Sequence, residues 1–338
     1  MKRLTASAAF FLAAALSVGA VPADVTYTEG DASVRLKNGT QKDAEIGAVL
    51  NTGDTLKTGG DGQAELDQKG VTIKIARNTV FTLMEKAQGN QSTSVLSVTL
   101  GSIKFHYNKL TGTEPQVRTN GALAGVRGTD FTVFAGADGS TLFTVDSGEV
   151  SVEAGGQTVA LDAGQGVEVP LGQPPGGTFA VHSDQQDYRT WNADKLAAML
   201  ADPLAALGSV ETAMADYIKN VGDYAASYQE YRQRLDAERQ KRTQIFNEQG
   251  ADAAQKYEQD VVTPLALQAG YLELNVRFYA LAALSLRRFV AGRLYVILKA
   301  RSIATPTDPT WVSFTSRFDA LLASFEKSIA PQLVAVDI

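Results

Sequence analysis

The sequence predicts an α+β multidomain protein: an N-terminal all-β domain with a rolled or solenoid-like sheet, then a C-terminal antiparallel helical bundle. Three observations predict it. From residue 25 to about 169, apolar and polar residues alternate with period two, and Gly, Asp or Asn clusters interrupt them roughly every 8 to 12 residues, the all-β pattern. From Asp184 onward glycine thins out and helix formers dominate. Between these parts PLGQPPGG, residues 170–177, continues neither pattern and reads as a linker. At 338 residues, 44% hydrophobic and 20% charged, the chain is long enough for two domains and apolar enough to bury a core.

The chain opens with Lys2 and Arg3, an apolar run, and small residues at Ala20 and Ala23, which together read as a secretory signal cut after one of those alanines. An uncleaved anchor is the alternative, since residues 4–23 match the roughly 20 residues that cross a bilayer. No cysteine follows the run, so a lipoprotein route is closed, and zero cysteines in an exported chain leaves folding to the cores alone. The expected division is a signal peptide at 1–23, a β domain at 24–172, a linker at 173–183 and a helical domain at 184–338. The expected location is periplasmic or otherwise extracytoplasmic, with no stable transmembrane span after cleavage.

Strands are expected at 64–66, 71–76, 80–84, 95–100, 103–107, 130–135, 140–145, 150–154, 157–161 and 166–170. The pairs Asp61-Gly62, Gly89-Asn90, Asp138-Gly139, Ser147-Gly148 and Gly155-Gly156 supply turns between strands. In the second half, a helix from Asp184 to Asp202 stops at Pro203. A longer one carries Val210, Met214, Tyr217, Val221, Tyr224, Tyr228, Tyr231 and Leu235, spaced as the period-3.5 seam of antiparallel bundles and coiled coils. Thr263-Pro264 reads as the start of a central buried helix running to Arg301. Thr307 to Pro309 caps a last helix with Trp311, Phe314, Phe318, Leu321 and Phe325 on its core face, ended by Ala330-Pro331.

Five segments of the first half, taken in order, resemble the FecR domain: GDTLKTG (53–59), GVRGTDFTV (125–133), DGST (138–141), VDSGEVSV (145–152) and LDAGQGVEV (161–169). The resemblance spans about residues 30–170 and implies an exported β-rich module. The best-known members of the family relay the state of an outer-membrane transporter to a sigma factor, through a cytoplasmic N-terminal segment and a transmembrane helix. Only Met1 to Arg3 precede the apolar run here, so that output end is not expected and the sigma-regulator role is not carried over. What the resemblance implies is an extracytoplasmic binding or scaffolding domain; the helical half resembles no family.

The candidate binding residues follow from two features. Arg127 lies between Gly125 and Gly128, followed by Thr129, and two readings stand open. In one it is a ligand-binding guanidinium, a fork that recognises a carboxylate bidentately. In the other the glycines permit a tight crossing while Arg127 pairs internally with Glu149 or Asp130. The tyrosines Tyr224, Tyr228 and Tyr231 are either a half-wet bundle seam or an aromatic platform for a sugar or a partner.

Catalysis finds little support. With two histidines, His106 and His182, and no cysteine, neither a Cys-His dyad nor a HEXXH or C-x-x-C metal site can be assembled, and no GxSxG or Walker A motif occurs. No enzyme, metal or cofactor is expected. A net charge of −6 makes nucleic acid and anionic membrane surfaces poor partners. The expected function is a non-catalytic binding or scaffolding protein of the bacterial envelope, contacting a protein or glycan, with homo-oligomerisation through the bundle possible. A periplasmic ligand sensor with Arg127 at its site is the alternative, and a cell-wall glycan hydrolase a remote one, since any two carboxylates can converge.

Overall fold

The computed structural model describes residues 21–108 and 114–336, so residues 1–20 of the expected signal segment 1–23 lie outside the described residues. The protein is mixed α+β, sheet-rich first and helical second. The strands are β1 (Ala23–Glu29), β2 (Ala32–Arg35), β3 (Gln41–Asp43), β4 (Val49–Leu50) and β5 (Thr55–Thr58). Then come β6 (Gln63–Gln68), β7 (Val71–Ile75), β8 (Val80–Gln88), β9 (Gln91–Tyr107) and β10 (Gln116–Arg118). The last five are β11 (Leu123–Ala135), β12 (Thr141–Ala154), β13 (Gln157–Asp162), β14 (Gln165–Val169) and β15 (Phe179–Ala180).

These strands form one 15-stranded sheet whose path ends at β15 and β4, so it is not closed. Every described pairing is antiparallel except β9 with β10, a meander of hairpins and long returns, and the stacked coils of a solenoid are not established. Long strands change partner along their length, as β12 does, pairing β14 over residues 141–144 and β13 over 149–154. Two strands expected at 95–100 and 103–107 are one strand, β9, whose first part pairs β8 and whose last part pairs β7 and β11. Gly101 marks the change at φ +102°, where a Cβ would lie 2.5 Å from the Cα of Thr79, so the chain bends there without reversing. Likewise Ser147-Gly148, expected as a turn, lies inside the single strand β12.

Ala23, expected to be the last residue of the signal, is the first of β1, fully buried and paired with Leu50. Residues 170–183 stay tied to the sheet edge: Gly176 N donates to Glu168 O at 2.9 Å, Val181 N to Gly164 O at 2.8 Å, and β15 pairs β14.

The helices are α1 (Tyr188–Ala201), α2 (Pro203–Gln249), α3 (Ala251–Tyr257), α4 (Thr263–Leu286), α5 (Gly292–Arg301), α6 (Pro309–Ser328) and α7 (Ala330–Ala335). α1 starts later than expected because the Asp187 carboxylate accepts from Arg189 N and Thr190 N, capping it there. Asp308 caps α6 in the same way through Trp311 N. Thr263 is not a cap, since the chain arrives already helical from α3 through a π turn at Glu258–Val262. That wider turn accommodates Pro264, which has no N–H for the regular ladder. A second π turn, Arg287–Ala291, joins α4 to α5, and the helical path ends at Arg301 as expected. Ala330-Pro331 does not end the chain's helical part but opens α7.

Contacts run in opposite senses along neighbouring helices. Glu238 meets Tyr257, Tyr228 meets Glu273 and Tyr224 meets Tyr279, so α2 and α4 are antiparallel. Arg287 with Glu326 and Tyr295 with Phe318 show the same for α6 against the α4–α5 path. The seam expected along α2 is real: Val210, Met214, Val221, Tyr228 and Leu235 are buried. α4 packs on the outer face of β8 and β9, where Met84, Val95 and Phe278 share one cluster. This third layer explains why residues 93–103 are buried without alternation, as in any strand covered on both faces. Among the described residues no single helix is long and apolar enough to cross a membrane.

Candidate functional site

The β11–β12 ribbon is buried for most of its length, and its longest exposed stretch lies at Arg127–Gly128 and Ser147–Glu149. The register runs Arg127 to Glu149, then Asp130 to Ser147, leaving Gly128 and Thr129 as a bulge. Gly128 has φ +57° and Gly148 φ +78°, and a Cβ on Gly148 would lie 2.6 Å from the Gly128 carbonyl oxygen. Gly148 is therefore set by the close crossing of the two strands, whereas Gly128 is set by its positive φ alone, since a Cβ there would meet nothing within 4 Å. Gly125 has no such constraint: its φ is not positive and a Cβ there would meet nothing within 4 Å.

Around the bulge Thr129 is buried, its hydroxyl donating to Glu149 O at 3.3 Å, and Gly128 N donates to Glu114 Oε1 at 3.2 Å. Asp130 N donates to Ser147 Oγ at 3.1 Å, and the Asp130 carboxylate accepts from that hydroxyl and from His106 Nδ1. The hydrogen bond to Asp130 and its charge raise the His106 pKa. With Asp130 engaged in this way, the internal ion pair considered for Arg127 does not form with it, nor with Glu149. Arg127 is exposed and its guanidinium has no hydrogen-bond or ion-pair partner among the described residues.

The sheet–helix seam holds a second arginine, unmarked in the sequence reading. Arg118 on β10 is 3% exposed. Its Nη2 donates to the Tyr217 hydroxyl of α2 at 2.6 Å and its Nη1 to Ser97 Oγ at 3.4 Å. The guanidinium stands 5.4 Å from the Tyr217 ring centre and 5.6 Å from that of Phe278, a cation–π arrangement. The Tyr217 hydroxyl donates onward to Asn120 O at 2.7 Å. No carboxylate pairs with Arg118 among the described residues. Lys86 lies 5.3 Å from the Phe278 ring centre, and the cavity here, about 230 Å³, is also lined by Tyr279 and the exposed Glu153. No local signal marks Arg118, since residues 117–120 are buried in succession and period-two alternation fails there.

The three candidate tyrosines face inward along the α2–α4 seam. Tyr224 stacks on Tyr279 with centroids 5.6 Å apart. The Tyr228 hydroxyl donates to Glu273 Oε2 at 3.1 Å and accepts from Arg232 Nη1 at 2.9 Å, and burial raises its pKa. Tyr231 is half-buried beneath Arg234, 5.1 Å from the ring centre. No described contact joins them to Arg127. Among the described residues no group of three or more His, Cys, Asp or Glu is placed to hold a metal ion.

Residues 54–151 match the family model described as FecR protein, so the sheet region carries a FecR domain over that span. Two crystal structures of a "putative anti-sigma factor" from Parabacteroides distasonis are similar to this chain at 15% identity, each over 38% of it, with TM-scores of 0.33 and 0.32. The chain spans about three fifths of their length, 61% and 59%. No curated protein matches.

Proposed function

We propose that this FecR-domain chain is a non-catalytic binding and scaffolding protein of a bacterial envelope, working in envelope signalling, whose FecR domain contacts an envelope protein or glycan through the bulge at Arg127. One observation carries the reading. In a ribbon that is mostly buried, the bulge inside the matched span presents an exposed guanidinium with no hydrogen-bond or ion-pair partner among the described residues. A side chain in that state keeps its whole hydrogen-bonding fork available to a carboxylate or sugar hydroxyl on another surface. Exposure on an open ribbon suits a partner surface better than a small-molecule pocket, which encloses most of its ligand. The seam through Arg118 and Tyr217 supports a rigid scaffold, because it joins sheet and helices by buried polar contacts rather than by a free hinge. Export is part of the proposal, and a cut after Ala20 leaves β1 whole.

The test places a photo-crosslinking residue at position 127 of the full chain in living cells, with exposed Lys42 as the control position. A defined adduct at 127 and none at 42, lost when Arg127→Glu is combined with a crosslinker at 149, is the expected result. Equal adducts at both positions, or none at 127, rule the proposed contact out.

A further inference from the structure

A cavity of about 240 Å³ opens between β2, the turn before β5, α4 and α7. Among the described residues its charged lining is cationic, Arg35, Lys37, Arg277 and Arg288, beside Leu281 and Leu284. Lys57 stands alongside, 5.3 Å from the Phe289 ring centre. Among the described residues, the carboxylates of Glu273, Glu326 and Asp54 nearby are engaged elsewhere. Glu273 lies 3.6 Å from Arg277 Nη2, Glu326 lies 3.2 Å from Arg287 Nη2, and Asp54 accepts from the backbone N–H groups of Lys37 and Asn51. Arg277 Nη2 donates to Val336 O at 2.6 Å, but its Nε is buried without a partner among the described residues.

The crowding shows in proton affinity. Burial, then the charges of Arg35 and Arg287, lowers the Arg288 pKa; burial, then Arg288 and Arg35, lowers that of Lys57. Like charges gathered beside apolar surface repel one another more strongly than they would in water, and an anion seated among them adds an attraction to each that offsets the repulsion.

We infer that this cavity is a binding site for a compact multivalent oxyanion of the phosphate class, held by Arg35, Lys37 and Arg288 with Arg277 behind them. A lone carboxylate brings one charge to several cations, whereas a phosphate monoester or diphosphate brings two or more and offers oxygens to guanidinium forks. By volume the cavity holds roughly eight waters at about 30 Å³ each, room for a phosphate and a small attached group. Such a group arrives on a soluble phosphate ester or as the headgroup of an anionic lipid. The inference is independent of the partner surface at Arg127.

The experiment titrates the full chain with inorganic pyrophosphate at constant ionic strength, by calorimetry and thermal unfolding, beside the double variant Arg35→Gln/Arg288→Gln. Expected is saturable binding of one anion per chain and a rise in Tm of about 3 °C or more near saturation. The double variant should bind at least tenfold more weakly while its anion-free Tm is unchanged or higher, since repulsion has been relieved; that second readout separates a lost site from a misfolded protein. Co-sedimentation with phosphatidic acid vesicles, against phosphatidylcholine vesicles, assigns a lipid source if the wild type binds and the double variant does not. Binding of pyrophosphate without vesicle binding assigns a soluble one. Three results overturn the inference: no saturable binding of either probe, equal stabilisation by sodium chloride at matched ionic strength, or a Tm that ignores pyrophosphate but falls in Asp337→Asn. The last would give the cations to Asp337, which lies outside the described residues.

Discussion

Tyr217 of α2 accepts a hydrogen bond from buried Arg118 of β10 at 2.6 Å and donates one to Asn120 O at 2.7 Å. One hydroxyl from the helical region thus satisfies a cation and a backbone carbonyl of the sheet region. Removing it strands both, and a buried polar group without a partner costs more than the bond it lost. Tyr217→Phe should therefore destabilise the protein by about 1–3 kcal/mol in urea unfolding. In the Arg118→Met background the same change should cost less, a coupling that a double-mutant cycle measures directly. Equal costs in both backgrounds would mean that the hydroxyl does not support the guanidinium.

Gly101 and Gly125 should respond oppositely to alanine. At Gly101 the backbone is at φ +102° and a Cβ would lie 2.2 Å from Thr79 Oγ1, so Gly101→Ala should cost about 3 kcal/mol or more. At Gly125 a Cβ meets nothing within 4 Å, and Gly125→Ala should stay within about 0.5 kcal/mol of the wild type. Denaturant midpoints with unchanged slopes would establish both.

His106 should titrate above its ordinary value of 6.5, because its bond to Asp130 and the charge of Asp130 both favour the imidazolium. The folded pKa is raised, so the pair's contribution is complete below about pH 6.5 and fades as pH rises through the raised value. The side chains are well exposed, which keeps the contribution small and sensitive to salt. NMR titration should show the His106 midpoint falling in Asp130→Asn. The stability difference between that variant and the wild type should be larger at pH 5.5 than at pH 8.5.

Tyr228 serves as a test of the seam. Its ring is buried while its hydroxyl lies between Glu273 and Arg232. Tyr228→Phe keeps the packing and should cost about 1 kcal/mol. Tyr228→Ala opens a cavity and should cost about 3 kcal/mol or more. A similar loss from both variants would assign the stabilisation to the hydroxyl instead.

Several elements were legible because they depend on neighbours in the chain. The alternation of β6 and β7 survives intact as one buried and one wetter face, and the tyrosine-rich seam of α2 packs on α4 as its spacing predicts. Errors arose where local chemistry had two outcomes. Gly101-Ser102 fell between two expected strands and Ser147-Gly148 read as a turn, yet a glycine at positive φ bends a strand as readily as it reverses one, and pairing partners decided between the two. Thr263-Pro264 read as a helix start, but a preceding π turn accommodates the proline within a continuing helix.

The sequence by itself determined the division into a sheet-rich and a helical region and the faces of its regular elements, because these are properties of spacing and backbone conformation over a few residues. Tertiary structure alone decided that Asp130 turns to His106 and leaves Arg127 without a partner among the described residues, and that Arg118 is buried against a tyrosine 99 residues away. It also decided that Arg35 and Lys37 from the sheet region meet Arg277 and Arg288 from the helical region around one cavity. Periodicity says which face of an element turns inward, but which faces meet depends on the summed burial of the whole chain, and with it which charges find a counterion.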